Sequence, residues 1–263
     1  MTTTPPPADD QVLQRQVRAT WTTALAIVAG LAIIFVAVDV LIPRFRSAMR
    51  NALLNDCHGY TKQIYLGLSN YESEHGRFPP AYTTDANGKP LHSWRTLILP
   101  YMEQQGLYDS IDLTKPWDDP VNAAACSTPL SFYQCPALPS AVKNAGNLTT
   151  YLALVTPDSV LRAGTSISHG ELEDSSNTVI FIDAPPGKAV PWMSPYDADE
   201  KVLLEFGRVS DSQHSGNGQQ AGAVMMAGFA DGHSQLLHSL LDDDARRALI
   251  TVSADDNAAI PER

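Results

Sequence analysis

Basic residues are scarce in this chain. Eighteen Lys and Arg face 29 Asp and Glu over 263 residues, a formal net charge of -11. A phosphate-binding surface needs clustered cations, so the charge balance argues against nucleic acid as a partner. The three cysteines form no CxxC pair, which removes zinc-ribbon and thioredoxin motifs. No serine sits in a Gly-x-Ser-x-Gly elbow, and no acidic cluster follows the EF-hand pattern. Long apolar runs are lacking too, with one exception.

That exception, Trp21 to Ile42, is broken only by Asp39. It meets the roughly 20 residues a membrane span requires. A signal peptide is the competing assignment, but Pro43-Arg44-Phe45-Arg46 is a poor small-residue cleavage site. After Pro43 a polar helix takes over, with one apolar edge: Phe45, Met49, Leu53, Cys57, Tyr60, Ile64, Leu68 and Tyr71. Steps of three and four keep that edge on one side of a helix for about seven turns. The expected organisation is a flexible tail over 1–20, a transmembrane helix over 21–42, and a globular body over 43–252. The spine of that body is the helix 44–75, and a frayed tail fills 253–263. Arg44, Arg46 and Arg50 after the span outnumber Arg15 and Arg18 before it, a small bias towards a cytoplasmic body.

Gly76 and Pro79-Pro80 end the spine. A hairpin or loop tip is expected at 85–88 and a second helix over 93–107, interrupted by Pro100. Strands are expected over 149–155, 178–183, 222–230 and 233–238. The last two are joined by a type I′ turn at Asp231-Gly232. A short helix over 243–252 follows. Helix first and antiparallel strands after is an α+β order.

Candidate chemistry is sparse. A disulfide between Cys126 and Cys135 would close a small loop; two buried thiols are the alternative, and Cys57 is a further partner for either. His214, Asp231, His233 and His238 fall near one hairpin and form a candidate metal set. Asp197, Asp199 and Glu200, or Asp242 to Asp244, offer carboxylates to Ca²⁺, although solvated turns explain them as well. Ser166 and Ser168 near His169, and Ser212 near His214, invite a hydrolase reading, but neither lies in a nucleophile elbow and Ser beside His is common by chance, so no enzyme activity and no cofactor are expected. Trp94, Tyr101, Tyr108, Trp117 and Trp192 read as core fillers rather than a ligand groove.

The ordered set Pro43, Cys57, Phe78-Pro79-Pro80, Ser93-Trp94-Arg95, Leu99 to Gln104, Pro116-Trp117-Asp118, Cys135-Pro136, Ser175 to Thr178, Pro191-Trp192, His214 and Asp231-Gly232 resembles the DUF1559 (H-X9-DG) family of planctomycete-type bacteria. Members of that family look like type II secretion pseudopilins. The resemblance implies a pilin-like α+β fold, with a long N-terminal helix packed on an antiparallel sheet. It also implies a single span in the inner membrane and a periplasmic body, overriding the charge count. Its expected partners are the membrane itself and copies of this or other pilin-like subunits, met through the N-terminal helix. Two departures stand out. Arg18 to Ala26 lacks the Gly and Glu of a prepilin cleavage site, which implies a retained anchor. Asn217 to Ala221 lengthens the gap between His214 and Asp231-Gly232. The alternative function is an anchored extracytoplasmic domain that binds a glycan, peptide or metal outside any filament.

Overall fold

The computed structural model describes residues 8–205, 224–238 and 241–252. It falls into two compact units, Met1–Ala52 and Leu53–Arg263.

The first unit is helical. α1 (Ala8–Phe35) passes through a π-helical stretch, Val36–Leu41, into α2 (Ile42–His75), which continues into the second unit. Part of the tail expected to be flexible is therefore helix from Ala8 onward. Residues 8–20 contain no proline and are rich in Ala, Gln, Leu and Arg, which are good helix formers. The π stretch ends just before Pro43. Proline has no N–H, and its ring crowds the carbonyl four residues back. Widening the preceding turn accommodates both. From Trp21 to Phe45 the large apolar side chains lie exposed, including Leu25, Ile27, Leu31, Ile33 and Phe35. The hydroxyls of Thr20, Thr22 and Thr23 donate to carbonyls three or four residues earlier, at 2.7–3.1 Å. Their polarity is thus satisfied inside the helix, as a lipid environment demands.

In the second unit α2 becomes a core element. Cys57, Ile64 and Leu68 are fully buried, whereas Phe45, Met49 and Leu53 on the same predicted edge are exposed. The Gly76 N–H returns to the Glu72 carbonyl at 2.7 Å and ends the helix. β1 (Tyr82–Thr84) and β2 (Pro90–Ser93) form the hairpin around Asp85, whose carboxylate accepts from the N–H groups of Asn87 and Lys89. The second helix breaks into α3 (Trp94–Leu97), a 3-10 turn at Leu99–Met102, and α4 (Gln105–Asp109). Pro100 and the left-handed Glu103, φ 58°, separate the pieces. α5 (Ala123–Cys126) and α6 (Ser140–Lys143) are single turns.

β3 (Leu148–Thr149) pairs with β8 (Val190–Pro191), and β5 (Leu161–Arg162) with β6 (Thr165–Ser166). β4 (Tyr151–Ala153), β7 (Val179–Asp183), β9 (Val224–Phe229) and β10 (Ser234–His238) build the central antiparallel sheet, in the order β10-β9-β7-β4. The two-residue period splits its side chains between two cores. Tyr151, Ala153, Phe181 and Met226 join α2, Trp94 and Trp192. Leu152, Val179, Ile182, Met225 and Phe229 join Leu203 of α7 (Glu200–Glu205) and the end of α8 (Asp243–Ala248), where Leu249 and Ile250 follow. The fold is α+β, with the sheet buried on both faces.

The β9–β10 connection differs from the two-residue type I′ turn. Gly232 carries a positive φ of 92°, while Asp231 does not. The Gly232 N–H donates to the Phe229 carbonyl and the Phe229 N–H to the His233 carbonyl. This is a three-residue loop, an ordinary turn followed by one left-handed glycine.

Candidate functional site

Among the described residues of the body, three clusters of polar or reactive side chains stand out. The first centres on Arg95, which follows the capping Ser93 at the start of α3 and is fully buried. Its five N–H donors all find oxygen. Nε donates to Trp192 O at 3.0 Å, Nη1 to Tyr151 O at 2.9 Å and Asp197 Oδ1 at 2.6 Å, and Nη2 to Ser194 O at 2.9 Å and Tyr196 O at 3.0 Å. Asp197 Oδ1 also accepts from Trp94 Nε1 and the Ala153 N–H. Burial pushes the Asp197 carboxyl up, and the adjacent guanidinium pulls it back. Arg95 and Asp197 thus pin α3, β4 and the loop before α7 to one another.

The second cluster is the β9–β10 tip. A Cβ on Gly232 would lie 2.5 Å from the Tyr65 ring of α2. The Tyr65 hydroxyl donates to Ala230 O at 3.0 Å, and His58 Nδ1 pairs with Ser234 Oγ at 2.7 Å. On the other side the Asp231 N–H donates to Ser175 O at 3.1 Å. Asp174 organises that neighbouring turn by accepting from Ser176 Oγ and Asn177 Nδ2. His233 stacks on Phe229 with ring centroids 4.2 Å apart, its Nδ1 2.6 Å from Asp231 Oδ1.

The third cluster lies under α2. Cys57 Sγ and Cys135 Sγ are 2.8 Å apart, and Asp183, which accepts from the Thr150 hydroxyl, lies beside them. The Cys126–Cys135 bond expected from the sequence is not formed, and none of the three cysteines is in a disulfide. Cys126 ends a short helix, with Asn147 Nδ2 3.9 Å from its sulfur. Chain proximity pointed to Cys126; the fold brings Cys57 instead.

The family described as "Protein of unknown function (DUF1559)" matches residues 44–235, well over half of the chain. The chain belongs to the DUF1559 family. No curated protein and no solved structure matches it.

Across the DUF1559 segment the quoted motif residues turn out to be concentrated at contacts. Phe78, Trp94 and Trp192 are buried, Trp117 meets Tyr196 edge-on, and Asn177 shapes the turn before β7. Pro79 is buried and Pro80 partly so. Of the metal set, Asp231 and His233 come together; His214 and Ser212 lie outside the described residues, as does the side chain of His238. Among the described residues, the group of three whose ligand atoms gather within 4.8 Å is Cys57, Cys135 and Asp183.

The carboxylates considered for Ca²⁺ have other engagements. Asp197 is the counter-ion of Arg95 rather than a solvated ligand. Asp199 accepts from the Val202 N–H, Glu200 pairs with Arg247, and Asp242 caps α8 through the Ala245 N–H. The Ser166 hydroxyl donates to Phe78 O, and the Ser168 hydroxyl to Glu171 Oε2. Neither serine is paired with His169. Sequence reasoning named Arg95 only within the Ser93-Trp94-Arg95 motif, without a role, and missed Tyr65 and Asp183 as site residues. Asp183 ends an apolar strand, and that abrupt charge was the one available signal.

Proposed function

We propose that this DUF1559 protein is a single-pass, membrane-anchored, pseudopilin-like structural and interaction protein. Its body faces the periplasm, and its helix packs laterally against its own copies or other pilin-like subunits. The observation that carries this reading is the division along one helix. Val17–His75 is helical throughout and long and apolar enough to cross a membrane. Its early part exposes large apolar side chains, and only from Cys57 onward does α2 enter a core. Exposed apolar surface of that extent needs lipid or protein to cover it. Phe45, Met49 and Leu53 extend the uncovered strip beyond the span, where lipid alone would not reach all of it.

The absence of Gly and Glu from Arg18 to Ala26 supports a permanently retained helix. The test combines carbonate extraction, N-terminal sequencing of protein from its own membranes, and cross-linking of Met49→Cys chains. Resistance to carbonate, a start at Met1 or Thr2, and like-with-like cross-links are the expected results. Release by carbonate would overturn the anchor. A start near Trp21 would instead make the chain a processed filament subunit. An intact anchor with no cross-link would favour the solitary ligand-binding domain.

A further inference from the structure

Cys57 and Cys135 are 78 positions apart in the chain, yet their sulfurs meet at 2.8 Å. Both residues are fully buried. Each backbone is held by contacts that do not involve the sulfurs. Cys57 sits on α2, where its carbonyl accepts from Thr61 Oγ1 at 2.9 Å. Cys135 follows the turn Ser131–Tyr133, which is fixed by the Tyr133 hydroxyl donating to Arg95 O at 2.7 Å. The Leu138 N–H closes the next turn on Cys135 O at 3.0 Å. The meeting of the sulfurs is therefore a consequence of the fold.

We propose that Cys57 and Cys135 are joined by a disulfide in the mature protein, fastening α2 to the loop at Cys135. The proposal rests on the periplasmic placement of the body, because thiols there are oxidised.

Asp183 completes a metal-like trio, but the geometry opposes a metal. Two thiolates on one tetrahedral zinc, with bonds of about 2.3 Å, lie about 3.8 Å apart, a full ångström more than the 2.8 Å found here. A disulfide carries no charge and leaves Asp183 with its Thr150 partner.

The bond requires an oxidant, which is a protein or small-molecule disulfide. One cysteine thiolate attacks it, forming a mixed disulfide and expelling one thiolate. The second cysteine then attacks the mixed disulfide, forming the Cys57–Cys135 bond and expelling the other. Two electrons and two protons pass from the cysteine pair to the oxidant, which ends as two thiols. Neither sulfur is accessible in the folded body, so the exchange takes place before the core closes. Cys126, half-buried against Asn147, stays a thiol and serves as an internal control.

The test is differential alkylation and peptide mass mapping of the full-length chain, purified from its membranes without reductant. A second sample is unfolded, reduced and refolded in detergent with a glutathione redox buffer. The expected result in both is a linked Cys57–Cys135 peptide, lighter by two hydrogen atoms than the separate thiol peptides, with Cys126 alkylated. A refolded chain with both thiols alkylated, or with Cys126 in the bond, overturns the pairing. Stoichiometric zinc, with thiols that appear only on chelation, also overturns it. A bond in the refolded chain but not in the cell-derived one leaves the pairing standing and sinks the periplasmic placement.

Discussion

Arg95 shows how one side chain can organise loops that have little regular structure. Its planar group offers five donors in a fixed fork, and the body supplies four backbone carbonyls and one carboxylate to meet them. Truncation leaves Asp197 buried and unpaired. Arg95→Met is therefore expected to destabilise the body by about 3–5 kcal/mol, measured by urea unfolding in detergent. Arg95→Lys should recover only part of that loss, because three tetrahedral donors cannot reach five oxygens spread in a plane. Full recovery by lysine would mean that charge alone matters here. The double change Arg95→Met with Asp197→Leu should be milder than Arg95→Met, since no buried charge is left behind.

At the scale of elements, the β9–β10 tip is where helix, sheet and turn meet. Gly232 is held at φ 92° with the Tyr65 ring over it, so Gly232→Ala brings both backbone strain and overlap. A loss of about 1–3 kcal/mol is expected, and Tyr65→Phe should lose about 1 kcal/mol through its bond to Ala230 O. Gly228 is closed to side chains in a similar way by the Phe181 ring, 2.5 Å from an added Cβ. The neighbouring turn brings a pH dependence. Hydrogen bonds from Asn177 and Ser176 hold the Asp174 carboxyl below the usual carboxylate range. A depressed folded pKa contributes stability above the unfolded value, and that stability is lost as pH falls through the folded value. Between about pH 7 and about pH 3 the melting temperature should therefore fall less in Asp174→Asn than in the wild type; an equal fall would remove Asp174 from the account. Much of this element scale was legible in the sequence. The helix edge, the strands and the Asp231-Gly232 connection follow from local periodicity and turn chemistry. The packing of that turn did not, because the ring that covers Gly232 belongs to Tyr65, 167 positions before it. Nor did the roles of Asp197 or Cys135, since long-range pairing leaves no local trace.

At the scale of the whole chain, what matters is where α2 passes from an exposed helix to a core one. Along its apolar edge Phe45, Met49 and Leu53 are exposed, and Cys57 is the first residue of that edge to be fully buried. A covalent bond at Cys57 fastens the helix at its point of entry, where fraying would otherwise start. It also closes a loop of 78 positions, which by chain entropy is worth about 4–5 kcal/mol. For a body of this size that corresponds to a melting shift of roughly 10 °C. The oxidised full-length protein should therefore melt roughly 10 °C above the Cys57→Ala/Cys135→Ala variant. Reductant should leave the folded wild type unchanged, because both sulfurs are shielded, and should act only once denaturant opens the core. Hydrogen exchange separates this from a simple packing loss. Loss of the bond should speed exchange first at residues 57–68, near the entry point, while the β7–β9 ladder keeps its protection. Uniform acceleration across the body would mean that the alanines had only opened a cavity, and that the helix entry is not where the fold is secured.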